Sequence, residues 1–272
     1  QTLTGNYQLS DLKLDFLRPM LPDVDELQLT LNGDGNLSGV LTEPVVTGML
    51  SLRDGLVAGR NLPVSLEQLQ ADIRIDGTSA QLDSRWSSGE QGQGTLSGSL
   101  GWAPLDVDLQ LRGSALPVNV EPYAQLQVAP DLAITLRDNN LHVGGELAIP
   151  EGHIRVRELP ASAVTVSPDV VIVGQEAAEK GAALGITARV KLNIGDQLRL
   201  SAFGLRGRLK GQLEVQKNLT ANGDLQILDG KFRRLGQELE LRRALLLFSG
   251  PISQPYLNVE AIRRVDDVIA GL

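Results

Sequence analysis

The stretch Gly223-Asp-Leu-Gln-Ile-Leu-Asp-Gly230 decides the fold, because its pattern predicts a short strand with a glycine at each end. Leu225 and Ile227 are two residues apart, so in an extended strand both side chains point to the same face. The same pattern occurs twice earlier, as Gly48-Met-Leu-Ser-Leu-Arg-Asp-Gly55 and as Gly145-Glu-Leu-Ala-Ile-Pro-Glu-Gly152. This internal repeat indicates a sheet that reiterates one strand-turn-strand unit.

Aliphatic and polar residues alternate through almost the whole chain, and this period of two is typical of strands with one buried face. The 29 glycines also disfavour a helical protein, because each would weaken a helix interior by about 1 kcal/mol. The alternation gives roughly 18 strand candidates, and open sheets rarely exceed about ten strands without curling or splitting. We therefore predict an all-β fold whose elongated sheet bends, with an aliphatic face that something must cover.

One short helix is expected near the N-terminus. Ser10 can cap a turn or two over residues 11–18, in which Leu12 and Phe16 share one face. Residues 174–181 have the composition of a loop, with a short helix as the alternative.

The composition limits the classes of function. Only 3% of the residues are aromatic although 42% are hydrophobic, so the apolar surface is almost entirely Leu, Val, Ile and Ala. The net charge of −8 argues against nucleic-acid binding, which requires a basic surface. The charge is uneven, because residues 1–188 carry 11 basic and 24 acidic residues whereas residues 189–264 carry 14 basic and 7 acidic ones. The basic part is either the solvated outer face of strands or a surface that docks on an acidic partner or on anionic lipid head groups.

No group of residues predicts catalysis or a cofactor. The chain has no cysteine and only two histidines, His142 and His153, which fall in different predicted strands, so no metal site is expected. The glycines between Gly33 and Gly39 do not have the spacing of a nucleotide-binding loop and are better explained as turns. No nucleophile elbow and no Ser-His-Asp set with plausible partners occurs, so the sequence predicts a protein that is not an enzyme.

The chain begins at Gln1, and it contains no run of about 18 apolar residues that could span a membrane. It is therefore expected to be an excised segment of a longer protein. The lack of cysteine is neutral about the compartment, because a periplasmic protein can do without disulfides.

Several long motifs between about residue 130 and residue 271 resemble the conserved C-terminal region of the TamB family. The motifs are Leu141-His-Val-Gly-Gly-Glu-Leu-Ala-Ile-Pro-Glu-Gly152, Glu158-Leu-Pro-Ala-Ser-Ala-Val-Thr-Val-Ser-Pro-Asp-Val-Val-Ile-Val173, Phe203-Gly-Leu-Arg-Gly-Arg-Leu-Lys-Gly211 and Arg243-Ala-Leu-Leu-Leu-Phe-Ser-Gly-Pro251. Residues 1–129 resemble AsmA-like β-repeats more loosely. The resemblance thus divides the chain into an AsmA-like segment, 1–129, and a continuous TamB-type segment, 130–272.

The resemblance implies a bent β-sheet trough, or β-taco, with an aliphatic interior, in a periplasmic protein attached to the inner membrane. Such proteins are thought to conduct phospholipids towards the outer membrane and to assist the assembly of outer-membrane proteins with TamA. The resemblance further implies that the inner-membrane anchor and most of the TamA-engaging segment lie outside this chain. No cofactor is implied.

The alternation and the resemblance together predict a groove that holds phospholipid acyl chains, whose burial is favourable by about 25 cal/mol per Å². Five side chains are predicted to line it: Leu50, Leu52, Ile73, Ile75 and Val107. The pairs Leu147/Ile149 and Leu225/Ile227 are predicted to line it at other heights. The plainer interpretation is that Leu50, Leu147 and Leu225 form an ordinary core, packed against each other.

Two other functions are compatible with the pattern. In the first, the chain is a chaperone or docking module, and an exposed end strand near residues 245–247 pairs with strands of outer-membrane β-barrels together with TamA. In the second, the chain is a rigid β-helical stalk. The spacings of 97 and 78 residues between the three repeats argue against a stalk, because a β-helix has a constant coil length.

Overall fold

Pairing between strands organises almost all of the chain. The computed structural model describes residues 2–40, 43–60, 62–156, 185–234, 237–265 and 268–271, and within these ranges sixteen strands form a single sheet. The strands are β1 (Thr2–Lys13), β2 (Glu26–Val40), β3 (Glu43–Ala58), β4 (Leu66–Gly77), β5 (Ser79–Ser88), β6 (Gly92–Trp102), β7 (Leu105–Ser114), β8 (Leu116–Val120), β9 (Ala124–Arg137), β10 (Asn140–Val156), β11 (Gly185–Ala202), β12 (Leu205–Gln216), β13 (Thr220–Arg234), β14 (Gln237–Pro251), β15 (Tyr256–Val265) and β16 (Val268–Gly271). The prediction of an all-β fold is confirmed.

The strands follow one another across the sheet in chain order, except that β8 pairs with β9 beside the main path. Among the described strands, β10 and β11 are the one parallel pair, and every other pairing is antiparallel. Antiparallel neighbours need only short turns, whereas parallel neighbours need a crossover. Most of the sheet is therefore a meander of local hairpins.

The predicted N-terminal helix is wrong in its position. Strand β1 runs to Lys13, and a six-residue 3₁₀ helix, Asp15–Met20, follows it without a side-chain cap. The backbone N–H of Asp11 donates a hydrogen bond to the Asn32 side chain at 2.7 Å, where the ladder between β1 and β2 has a bulge. Pairing with β2 competes successfully here because a helix of one or two turns is marginal in water. The loop predicted at residues 174–181 lies outside the described residues.

The pairing registers align aliphatic side chains in rows that cross the strands. Leu52 on β3 lies opposite Leu31 on β2 and opposite Ala71 on β4. This central row continues through twelve strands: Leu31, Leu52, Ala71, Ser84, Leu96, Leu111, Leu132, Gly145, Val190, Val215, Ala221 and Gly250. We call the face that carries this row the inner face.

The sheet curls over its inner face. Leu198 and Leu213 are 1% and 4% exposed, although their neighbours on the other face, Arg199 and Gln212, are exposed. A flat single layer would leave both faces wet, so burial on one face only is what a curled sheet gives. The chain nevertheless exposes 18,815 Å². A compact monomer of the same mass would expose about 11,500 Å². The fold is therefore an open, curled sheet, and the predicted bent trough is confirmed.

Glycines permit sharp bends in the strands at the inner face. Gly98 on β6 and Gly223 on β13 have φ angles of +144° and +133°, which L side chains rarely adopt. A Cβ atom at Gly98 would collide with the carbonyl oxygen of Asp108, and one at Gly223 with that of Gln212. Because both residues lack a Cβ atom, the backbone of the neighbouring strand can lie close to them, and they can adopt these φ angles without strain.

We predict that Gly98→Ala lowers the free energy of unfolding by about 1–3 kcal/mol, because the new Cβ meets strain and backbone at once. Urea denaturation of the 272-residue chain, followed by circular dichroism, measures this loss. Gly101→Ala is the matched control, since Gly101 lies in the same strand and its Cβ would meet only ordinary contacts, the nearest at 3.4 Å. Equal midpoints for the two variants would contradict a role for Gly98 in bending the sheet.

Candidate functional site

The candidate site is the inner face, and the structure brings four of the five predicted groove residues together there. Leu50 pairs with Ile73 across β3 and β4, and Leu52 and Ile75 occupy the two adjacent rows of the same face. Val107 lies further along the sheet, in the row that runs from Ile75 through β5 and β6. All five side chains are half-buried. Their contact with lipid stays a prediction.

The repeated stretches present their aliphatic pairs to the same face. The central row passes through Leu52 on β3, Gly145 on β10 and Ala221 on β13. Since Leu147 and Leu225 are separated from these positions by an even number of residues, they lie on the inner face as well. The three copies are therefore equivalent in orientation, although they lie at different positions along the sheet.

The degree of enclosure differs along the inner face. Most inner-face side chains of β2 to β7 are half-buried, and we call this part the open segment. The inner face of β8 to β14 forms the closed segment, where two clusters of buried residues lie. The first cluster joins Leu116, Val128, Ile149, Leu198, Leu209, Ile227 and Ala244, and the second joins Leu213, Ala221, Leu225 and Phe248. The open segment contributes no residue to either cluster, so its aliphatic side chains are the less enclosed part of the inner face.

The predicted core of Leu50, Leu147 and Leu225 is not a single cluster. Leu225 belongs to the second cluster, Leu147 packs against the first, and Leu50 belongs to neither. Contacts within the protein thus bury the side chain of Leu225, but they leave the side chain of Leu50 half-buried.

Three aromatic residues of the inner face each lie opposite a glycine. The register pairs are Tyr7/Gly35, Trp86/Gly94 and Phe248/Gly223. An aromatic ring over a glycine restores contacts that the missing side chain would have made. The Tyr7 hydroxyl and the Trp86 indole nitrogen are buried and have no hydrogen-bond partner among the described residues, which indicates that these rings fill space.

The opposite face of the sheet, which we call the outer face, is charged and largely paired. Arg137 forms ion pairs with Asp106 and Asp108 at 3.3 and 3.2 Å. The hydrogen bond from Arg208 to Asp229 raises the pKa of the Arg208 guanidinium. Such exposed pairs add little stability, and their main effect is to keep this face in water.

The two histidines lie in one strand, so their predicted assignment to different strands is wrong. Both belong to β10, because this strand is longer than the alternation indicated. The Nδ1 atom of His142 lies 2.9 Å from the hydroxyl of Thr187 on β11. Within the described residues, no group of three or more His, Cys, Asp or Glu side chains could hold a metal ion. Over the same residues, no helix has the length and hydropathy needed to cross a membrane.

The predicted end strand at residues 245–247 is also wrong. These residues lie within β14, which is hydrogen-bonded to β13 on one side and to β15 on the other. The backbone groups are therefore already paired, and this segment has no free edge. Among the described strands, β1 and β16 stand at the two ends of the path.

The family model for the TamB C-terminal domain matches residues 80–272. The chain belongs to the TamB family. It is also 25% identical, over 279 aligned residues, to the translocation and assembly module subunit TamB of Haemophilus influenzae. That alignment covers 96% of this chain and 21% of the relative, so the chain spans about a fifth of the relative's length. The TamB family match starts in β5 and crosses residue 130, and the boundary predicted there stays a prediction.

We predict that Leu213→Ala in the closed segment lowers the free energy of unfolding by about 2–5 kcal/mol, because it leaves a cavity. Leu50→Ala in the open segment should cost clearly less, since the Leu50 side chain is only half-buried. Urea denaturation of the 272-residue chain measures both values. Leu219→Ala, at a side chain that is 68% exposed, serves as the control and should change the stability by less than about 0.5 kcal/mol. Equal losses in the free energy of unfolding at Leu50 and Leu213 would mean that the open segment is as tightly packed as the closed segment.

Proposed function

We propose that this chain is a length of lipid conduit, in which phospholipid acyl chains lie against the inner face between the inner and outer membranes. One observation carries the proposal: the central row crosses twelve strands without a charged residue, and in the open segment most of its side chains are only half-buried. A large contiguous apolar surface that a protein does not bury by itself is typical of a binding site.

The energetics favour an acyl chain as the guest. Each buried methylene contributes about 0.8 kcal/mol, so a lipid chain gains several kcal/mol over a few strands. The lining is mainly Leu, Val and Ile, whose contacts impose no fixed orientation on a mobile hydrocarbon. The rows also offer similar surface from strand to strand, which allows a chain to shift along the groove without a large barrier.

The wider setting is part of the same proposal. The relative from Haemophilus influenzae is named as a subunit of a translocation and assembly module. A conduit for lipids is compatible with a role in translocation. We infer a periplasmic location, attachment to the inner membrane through a part of the longer protein, and cooperation with TamA in outer-membrane protein assembly. Catalysis and cofactors have no part in this proposal.

A second candidate function is the docking of β-strands from outer-membrane proteins. It is favoured by the outer edge of β16, which has no partner among the described strands. An unpaired edge presents backbone donors and acceptors that can template another strand. Four residues offer only a short edge, so we place this function second.

The conduit is tested with Leu50→Asp, which puts a charge on the half-buried wall of the open segment. We expect phospholipid that co-purifies with the 272-residue chain to fall at least tenfold, because burying an unpaired charge costs several kcal/mol. Native mass spectrometry counts the bound lipids, and circular dichroism checks that the variant folds.

Met49→Asp is the matched control for this experiment. Met49 is the preceding residue of β3, lies on the outer face, is 48% exposed and pairs with Arg74 on β4. The control should retain its lipid. A folded Leu50→Asp variant that carries as much lipid as Met49→Asp would overturn the conduit.

A further inference from the structure

A depression of about 620 Å³ lies where the inner and outer faces meet at one rim of the sheet. This rim, which we call the lower rim, is formed by the ends of β10 and β11 and the start of β12. The row Val156, Ala202 and Leu205 lines the depression from the inner face. The next row, Arg155, Ser201 and Arg206, lines it from the outer face. Aliphatic and cationic side chains therefore adjoin in one place.

The two arginines of this depression lack the ion-pair partners that several other outer-face cations have. Arg189 pairs with Glu214 at 3.6 Å, and Arg208 pairs with Asp229. Within the part of the chain that the structure describes, Arg155 and Arg206 form no ion pair, and no carboxylate lines the depression. Two like charges without a counter-charge repel each other, and an anion bound between them would relieve this repulsion.

The register places the two arginines at a suitable separation for one anion. Arg155 and Arg206 flank Ser201 on neighbouring strands, and strands lie about 4.8 Å apart, so their Cα atoms are about 10 Å apart. Both guanidinium groups can thus reach an anion above the Ser201 hydroxyl. Guanidinium forks and a hydroxyl are donors that suit phosphate oxygens.

A fourth polar group on the same wall lacks a partner. The Nε2 atom of His153 is buried and makes no hydrogen bond with any described residue. His153 lines the depression two residues before Arg155. A buried polar nitrogen without a partner is uncommon in proteins, and a ligand bound in the depression would supply the missing hydrogen bond.

The adjacent depression, of about 850 Å³, is a weaker candidate for an anion. It is lined by Arg199 and Arg208, but also by the acidic residues Glu151 and Asp196. Opposite charges within one site cancel, so of these two depressions the one at the lower rim favours an anion.

We propose that the depression at the lower rim binds the phosphate of a phospholipid whose acyl chains lie on the inner face. This assignment rests on the proposed conduit and names the head-group site within it. The acyl chains would contact the apolar row of Val156, Ala202 and Leu205 and continue along the inner face. Arg155 and Arg206 would bind the phosphate on the outer face, in contact with water. Phe203, which is 59% exposed in the turn between β11 and β12, adds apolar surface beside the site.

The test compares two lipids, of which one carries a phosphoglycerol head group and the other has no phosphate. Dioleoyl phosphatidylglycerol and dioleoylglycerol have the same acyl chains, and their binding to the 272-residue chain is measured by native mass spectrometry titration. The double variant Arg155→Gln/Arg206→Gln should bind phosphatidylglycerol about tenfold more weakly, through the loss of charge-assisted hydrogen bonds. Its affinity for dioleoylglycerol should not change. The control Arg74→Gln/Lys210→Gln removes the same charge from outer-face cations elsewhere and should alter neither affinity.

The outcomes separate the site from the conduit. If wild-type protein binds both lipids and the double variant is unchanged for both, the head-group site is overturned while the conduit stands. If wild-type protein binds neither lipid, the conduit fails and the site with it. Inorganic phosphate is titrated as a competitor: displacement of phosphatidylglycerol at micromolar phosphate would assign the site to the free anion, and overturn the lipid head group. Persistence of the lipid at millimolar phosphate supports the proposal.

Discussion

A largely aliphatic face that crosses twelve of the sixteen strands is unfavourable in water, and the rest of the structure follows from this constraint. The central row crosses twelve strands, so no single helix or hairpin could cover it. The sheet covers part of it by curling, with bends that glycines such as Gly98 and Gly223 permit. Curling is sufficient in the closed segment, where Leu198 and Leu213 are buried, and insufficient in the open segment. The remaining apolar surface is what a lipid would cover.

The fold class and the curl could be predicted because period-two alternation is a local signal that each strand carries by itself. The wrong predictions concern segments whose structure is determined by pairing with another strand. Residues 11–18 contain helix signals, but pairing with β2 outweighs them. Residues 245–247 looked like an end strand, yet β15 follows and pairs with them. Strand neighbours are set by registers between residues far apart in the chain, and no short stretch contains that information.

The identity of the inner-face residues was also predictable, whereas their enclosure was not. Leu50 and Leu225 occupy equivalent positions in the same repeated pattern, but Leu225 meets Leu213 and Phe248 in a buried cluster and Leu50 does not. Burial depends on the side chains that the neighbouring strands supply, and the repeat does not encode these neighbours. The depression at the lower rim has the same origin, because Arg155 and Arg206 become neighbours only through the pairings of β10, β11 and β12.

The parallel pairing of β10 and β11 has a consequence for how the chain folds. On either side of this junction the sheet is an antiparallel meander, whose hairpins join residues close in sequence and therefore form quickly. The junction itself joins Asn140 to Gly185 and Val156 to Ala202, which are distant in the chain, and such contacts form slowly. The two meanders should accordingly behave as separate kinetic units that dock late. Until they dock, β10 and β11 each present a free edge, and this stage is when the chain is most exposed to wrong pairing with other strands.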